Sequence, residues 1–156
     1  MAVTLPPPRT GRRIVLGSWA GTVALTVSAV PAAVEPHLLQ VPALVVAIGL
    51  FAGGLGVLVA SYVIAVGRSR SEELTVLGIY GLSESAPTRV KAHLFGSLGA
   101  EAIVALLTAA SHPYSSLAFG VLAVMWGVGM AGLWGARHGA FPPRRPPESP
   151  RRRKAG

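Results

Sequence analysis

An acidic residue inside an otherwise apolar segment is the first place in this sequence where chemistry could occur. Glu101 lies in the run 88–110, with Ser97 four residues and His93 eight residues before it. Side chains four positions apart share one face of a helix, so the three residues form a polar stripe. Glu101 stands about 17 Å from the start of such a helix, measured by helical rise. An ionised carboxylate is costly at that depth in a membrane, so we expect Glu101 to be protonated or paired against other helices.

A second polar stripe lies in the first apolar segment. Ser18, Thr22 and Thr26 also follow one another at four-residue spacing. If both segments enter the membrane from the same side, Thr26 and Glu101 lie at similar depth. We therefore expect Glu101 to hydrogen-bond Thr22 or Thr26. Two interpretations remain open, a proton- or cation-coupled transport site and a buried interhelical hydrogen bond. We favour the second, since no other carboxylate accompanies Glu101 within the apolar segments.

Patterns typical of catalysis or metal binding are missing from the sequence. The four histidines, His37, His93, His112 and His138, fall in separate segments without ligand spacing. The chain has no cysteine, which excludes disulfides and thiolate metal sites. We predict a protein that is not an enzyme and that holds no cofactor and no metal.

Four apolar segments would position these residues. The chain is 51% hydrophobic and 13% charged, whereas soluble domains are about 25% charged. The segment 41–66 has no charged side chain and exceeds the about 20 apolar residues that cross a bilayer core. The other segments are 14–34, 88–110 and 115–136. They predict an all-α integral membrane protein whose four-helix transmembrane bundle occupies 14–136.

Two connections complete the predicted bundle. The link 35–40 is so short that the helices it joins must be antiparallel neighbours. The middle loop 67–89 has the spacing of a capping box at Ser69 and Glu72, which predicts a short interfacial helix beginning near Arg70. A loop packed onto the helix ends is the alternative.

Glycines recur at four-residue spacing along three of the segments. Small residues at this spacing let helix backbones approach closely in a membrane. We expect the contacts to lie within one chain rather than between chains. The predicted packing glycines are Gly17, Gly21, Gly49, Gly53, Gly127 and Gly135.

The basic residues predict the orientation. All fourteen Lys and Arg side chains lie in the leader 1–13, the middle loop with the start of the third span, or the tail 137–156. Positive residues remain cytoplasmic, so both termini should lie inside a cytoplasmic (plasma) membrane. The tail, rich in proline and arginine, is predicted to be disordered. We expect these basic residues to face anionic lipid headgroups: Arg12, Arg13, Arg144, Arg145, Arg151, Arg152, Arg153 and Lys154.

The first segment has one alternative interpretation, a cleaved signal peptide. Arg12 and Arg13 precede an apolar run, and small residues near 29–33 could host cleavage. The 21 uncharged residues of 14–34 exceed a signal core of about 7–15 residues, so we expect a retained membrane helix.

These observations define the expected function class. Basic residues placed around apolar segments are typical of a membrane protein, and we predict no nucleic-acid partner. We predict a non-enzymatic accessory or scaffold in the lipid bilayer. Its partner would be another membrane protein or a second copy of the chain. The alternative is a small transporter or channel that uses Glu101.

Overall fold

The structure, a computed structural model, describes residues 11–83 and 85–143, and this part of the chain is helical. Four of its helices are long and apolar enough to cross a membrane. This confirms the predicted helical bundle and indicates a membrane protein. The helices are α1 (Arg12–Val34), α2 (Pro36–Arg68), the short α3 (Val76–Ile79), α4 (Thr88–Ser111) and α5 (Met125–His138), the last preceded by a 3₁₀ segment (Ser116–Val124).

The link between α1 and α2 is much shorter than the predicted 35–40. Glu35 alone separates the two helices, and its N–H donates to the Pro31 carbonyl at 2.9 Å. α2 begins at Pro36, because proline lacks only an N–H that the first turn leaves without a partner. α2 therefore starts five residues before the predicted span and pairs with α1 as a tight hairpin.

The backbones of α2 and α5 come into direct contact at Gly54 and Gly129, which are not among the packing glycines predicted from four-residue spacing. A Cβ added at Gly54 would lie 2.5 Å from the carbonyl carbon of Met125. One added at Gly129 would lie 2.6 Å from the Gly54 carbonyl oxygen. Such contact is possible only without side chains on the facing residues, as in other membrane helix pairs.

Apolar clusters at the two ends of the bundle define its topology. Ile14 of α1, Leu94 of α4 and Trp134 of α5 pack together at one end. At the other end Ala32 and Ala43, from α1 and α2, pack against Leu117 of the 3₁₀ segment. The start of α1, the end of α2, the start of α4 and the end of α5 thus share one end of the bundle, which we call the basic end.

The capping box expected in the middle loop is wrong. Ser69 ends α2 as its C-cap residue instead of starting a helix near Arg70. Glu72 forms an ion pair with Arg68 at 2.6 Å, because the two side chains lie four residues apart across the end of α2. The capping-box pattern thus arises from residues that close one helix rather than open another.

The short helix of the middle loop is α3, which begins six residues later than expected. Thr75 caps it, its side-chain oxygen accepting from the Gly78 N–H at 3.0 Å. A Cβ added at Gly135 would lie 2.1 Å from the Ile79 carbonyl oxygen, so α3 packs directly on α5. Its placement at the membrane surface stays a prediction.

The first part of the tail is ordered, contrary to the expectation of disorder from 137 onward. Arg137 and His138 complete α5. The Ala140 N–H donates to the Ser85 carbonyl at 3.1 Å, and the Glu73 N–H donates to the Pro142 carbonyl at 2.9 Å. These bonds hold 139–143 against the middle loop. The basic residues predicted within 144–156 lie outside the described residues, as does the leader before Gly11.

Candidate functional site

Glu101 is fully buried in the middle of the bundle, with 0% of its surface exposed. Its Oε2 accepts a hydrogen bond from the backbone N–H of Gly127 in α5, at 3.1 Å. The expected hydrogen bond to Thr22 or Thr26 is therefore wrong. The side chain of Glu101 faces the fourth long helix rather than α1.

The partner of Glu101 lies where the fourth long helix changes its geometry. Gly127 is the third residue of α5, directly after the change from 3₁₀ to α geometry. The N–H of Met125 donates to the carbonyls of Ala123 and Leu122, so the helical backbone continues from the 3₁₀ segment into α5. The bond from Gly127 to Glu101 therefore ties this junction to the neighbouring helix α4.

The glycine at position 127 leaves the space in which this bond forms. A Cβ there would lie 2.8 Å from Oε2 of Glu101 and 2.8 Å from the side chain of Leu98. Both distances are far below normal van der Waals contact. Gly127 thus lets α4 and α5 approach until the carboxyl group reaches the helix start.

The second carboxyl oxygen of Glu101 is buried without a hydrogen-bond partner among the described residues. A protonated carboxyl group has one O–H donor, and an ionised one accepts with both oxygens. Oε1 is therefore the atom through which this residue could exchange a proton or contact a cation. No other side chain in the buried polar stripes is left without a partner in the described chain.

The polar stripe of α1 pairs with Ser97 instead of Glu101. The hydroxyl groups of Ser18 and Ser97 hydrogen-bond each other. Thr22 Oγ1 lies 3.1 Å from the Ser97 carbonyl oxygen, to which it donates. Thr26 donates to the Thr22 carbonyl at 2.7 Å, within its own helix. The two stripes do join α1 to α4, but their contact lies one turn away from Glu101.

His93 does not belong to the buried stripe. It is exposed near the start of α4, whereas Ser97 and Glu101 are buried further along. The four-residue spacing places the three residues on one helical face, yet only the deeper part of that face meets another helix. The predicted site therefore reduces to two separate groups, Ser97 with the α1 hydroxyls and Glu101 with Gly127.

Trp126 explains three of the predicted packing glycines. Its ring fills the space in front of Gly21 and Gly53, where an added Cβ would lie 2.1 Å and 3.1 Å from ring atoms. Its indole N–H donates to the Gly17 carbonyl at 2.9 Å. These glycines therefore accommodate one large side chain between α1 and α2, rather than a direct contact of the two backbones.

Gly49 does not take part in packing within the chain, contrary to expectation. An added Cβ at Gly49 or at Gly56 would meet nothing within 4 Å. Both glycines lie on the side of α2 opposite its buried residues. We define the outer face of α2 as Val45, Gly49, Ala52, Gly56, Val59 and Val63, all of which are exposed.

Arg68 joins the end of α2 to the end of α5, a role that the sequence did not suggest. Its guanidinium donates to the carbonyls of Ala136 at 2.7 Å and Gly139 at 3.0 Å, and to Glu72 at 2.6 Å. It also lies 5.5 Å from the centre of the Phe141 ring. The last carbonyls of a helix attract cations. The only sign of this role in the sequence was that Arg68 is the first charged residue after the apolar run 41–66.

Arg12 and Arg13 line an open pocket at the basic end. The pocket measures about 580 Å³ and lies between the start of α1 and the end of α5. Its other lining residues are Gly11, Ile14, Leu16, Arg137 and His138.

The chain matches no protein-family model, no curated protein and no solved structure. The function proposed below therefore rests on the geometry of its own residues.

Proposed function

We propose that this chain is a non-enzymatic accessory or scaffold protein of a cytoplasmic membrane, and that it binds another membrane protein through the outer face of α2. That face is the observation that supports the proposal. Only 17% of the most apolar stretch of α2 is buried within the chain, against 44% for the fourth long helix. α2 is also the longest helix, with 33 residues.

The small residues of the outer face suit a partner helix. Apolar side chains alone do not drive association in a bilayer, since lipid tails are equally apolar. Close packing at glycine and alanine does contribute, because it brings two backbones into contact. Within the chain, Gly54 and Gly129 already make such a contact between α2 and α5. Gly49 and Gly56 offer the same opportunity to a helix from outside.

The charge distribution supports the proposed orientation. The arginines and lysines of the described chain belong to the helix ends and the loop at the basic end, from Arg12 to Arg137. Positive residues stay on the cytoplasmic side. The basic end would thus face the cytoplasm and contact anionic headgroups, and both termini would lie inside.

Cysteine cross-linking in cells tests the proposed partner contact. The chain has no native cysteine, so a single cysteine at Val45, on the outer face, reports contacts there alone. We expect a cross-link to a different membrane protein from Val45, and none from a matched cysteine at Leu106, which is exposed on α4. Adding Gly49→Leu should abolish the cross-link by blocking close approach.

Three results would contradict this proposal. The first is the absence of any protein adduct at Val45, which would leave lipid as the neighbour. The second is an adduct with a second copy of the chain only. The third is a cross-link that survives Gly49→Leu but is lost in the control Gly99→Leu. Gly99 is an open glycine of α4, so this control makes the same substitution on another helix.

A small transporter that uses Glu101 is the second candidate function. The observation in its favour is Oε1, a buried carboxyl oxygen without a partner among the described residues. Membrane carboxyl groups in such positions mark proton and ion pathways. Exchange of Glu101 for glutamine separates the candidates, since a scaffold tolerates it and proton coupling does not.

A further inference from the structure

We propose that the pocket at the basic end binds a phosphate group. The pocket lies where α1 begins and α5 ends, between Arg12 and Arg13 on one side and Arg137 and His138 on the other. None of the described residues that line it is acidic. Three arginine residues around one opening favour an anion, and arginine is well suited to bind phosphate oxygens in pairs.

The start of α1 adds backbone N–H donors to the positive charge of the pocket. Gly11 is the N-cap residue, in left-handed geometry with φ of 87°, and no side chain of the described residues caps the helix. The first accepted bonds run from Ile14 and Val15 to the Gly11 carbonyl. The N–H groups of Arg12 and Arg13 precede these bonds and have no acceptor within the helix. A 23-residue helix also directs the positive end of its dipole here.

A buried donor without a partner among the described residues lies directly behind Gly11, one of the residues that line the pocket. Trp134 is 1% exposed, and its indole N–H has no hydrogen-bond partner among the described residues. It faces the N-cap residue, since a Cβ added at Gly11 would lie 2.2 Å from the Trp134 Nε1. The His138 ring lies beside it, with 5.8 Å between ring centres. Buried indole N–H groups usually have an acceptor.

The three arginine side chains and the first N–H groups of α1 together suit the several oxygens of one phosphate group. The Trp134 indole lies behind Gly11 and therefore reports on an anion bound there. Inorganic phosphate and the headgroup of an anionic phospholipid both supply it. Ile14 and Leu16 also line the pocket, so a headgroup there would have apolar side chains beside its acyl chains. The lipid source rests on the proposed cytoplasmic position of the basic end, whereas binding of inorganic phosphate does not.

NMR of the tryptophan side chains tests the pocket in the full-length protein. The chain has three tryptophans, and Trp134→Phe identifies the indole signal of Trp134. The protein is placed in phosphatidylcholine nanodiscs and titrated with inorganic phosphate. In a second arm, the nanodiscs contain phosphatidylglycerol and no phosphate is added. We expect the Trp134 signal to shift while those of Trp19 and Trp126 stay fixed. A shift in the first arm identifies free phosphate as a ligand, and a shift only in the second identifies the headgroup.

Matched variants separate a discrete site from diffuse surface charge. Arg137→Gln should weaken binding about tenfold, as expected for a charged hydrogen bond. Arg70→Gln removes the same charge from an exposed position outside the pocket and should leave binding unchanged. Equal weakening by both variants, or no shift of Trp134 in either arm, would overturn the proposal. The Val45 cross-link is measured in the same variants, so loss of the phosphate site alone leaves the scaffold proposal standing.

Discussion

At the scale of single residues, Glu101 shows how a carboxyl group can join two helices of a bundle. Oε2 accepts from the Gly127 N–H, and Oε1 has no partner in the described chain. Loss of Oε2 therefore removes a hydrogen bond, whereas loss of Oε1 removes none in the described chain. A substitution that keeps a carbonyl oxygen preserves the bond to Gly127, whereas one that removes it loses this link between α4 and α5.

Glu101→Gln should change the thermal unfolding temperature in detergent very little, because its amide oxygen still accepts from Gly127. Glu101→Leu should lower stability by about 1 kcal/mol, between the membrane average of about 0.6 kcal/mol and the larger cost of a buried unpaired donor. Glu101→Lys should be far worse, since it buries a donor beside another donor. A glutamine variant as unstable as the lysine variant would refute this hydrogen-bonding role of Glu101.

Gly127→Ala tests the close approach that this bond requires. The added methyl group would lie 2.8 Å from both Glu101 and Leu98, so we expect a loss of about 1–3 kcal/mol from overpacking. Gly49→Ala is the control, since its methyl group meets nothing within 4 Å. Alanine is the better helix former, so that variant should be neutral or slightly more stable. Thermal unfolding in the same detergent compares them, and equal losses would contradict the described packing.

At the scale of elements, the sequence predicted a helix best where a long segment lacked charged side chains. The charge-free run 41–66 was sufficient to predict a span, because burial of charge in a bilayer is costly. The 3₁₀ segment 116–124 was not predictable, since hydropathy does not distinguish two helical types. The hydrogen-bond partner of Glu101 was also not predictable, because residue spacing shows which face of α4 carries Glu101 but not which helix packs against that face. Arg68, which bonds the end of α2 to the end of α5, appeared in the sequence only as the charged residue after the apolar run 41–66.

Arg68→Ala should separate the ends of α2 and α5. It removes the bonds to the Ala136 and Gly139 carbonyls, which should cost about 1.5–3 kcal/mol because hydrogen bonds to charged groups are the stronger ones. Arg70→Ala is the matched control, since Arg70 is exposed. Hydrogen exchange at residues 136–143 should quicken in the first variant only. Unchanged exchange there would show that the tail is held by its other contacts.

At the scale of the whole molecule, the helix directions and the charges agree. The four long helices alternate in direction, so Gly11, the middle loop and residues 139–143 lie at the basic end. Among the described residues, the opposite end has the single-residue link at Glu35 and the short turn after Ser111. This arrangement makes the sidedness testable with a few cysteines, since the chain contains none of its own.

Cysteines at Gln40 and Ser71 should respond differently to an impermeant thiol reagent on intact cells. We expect labelling at Gln40, near the hairpin, and protection at Ser71, in the middle loop, because positive residues stay inside. Labelling of both after the cells are opened is the control for accessibility. Labelling of Ser71 alone on intact cells would reverse the orientation. A mature chain that begins near Glu35 would instead establish cleavage of the first helix.

The 3₁₀ segment makes the fourth long helix longer than an α-helix with the same number of residues. Its nine residues rise about 2.0 Å each instead of about 1.5 Å, so conversion to α-helix would shorten the span by about 4.5 Å. The same conversion, from about 3.0 to about 3.6 residues per turn, would rotate one end against the other by about half a turn. The Glu101 carboxyl group binds the N–H at the junction. The 3₁₀ geometry therefore sets both the length of the span and the direction in which its side chains face on either side of that bond.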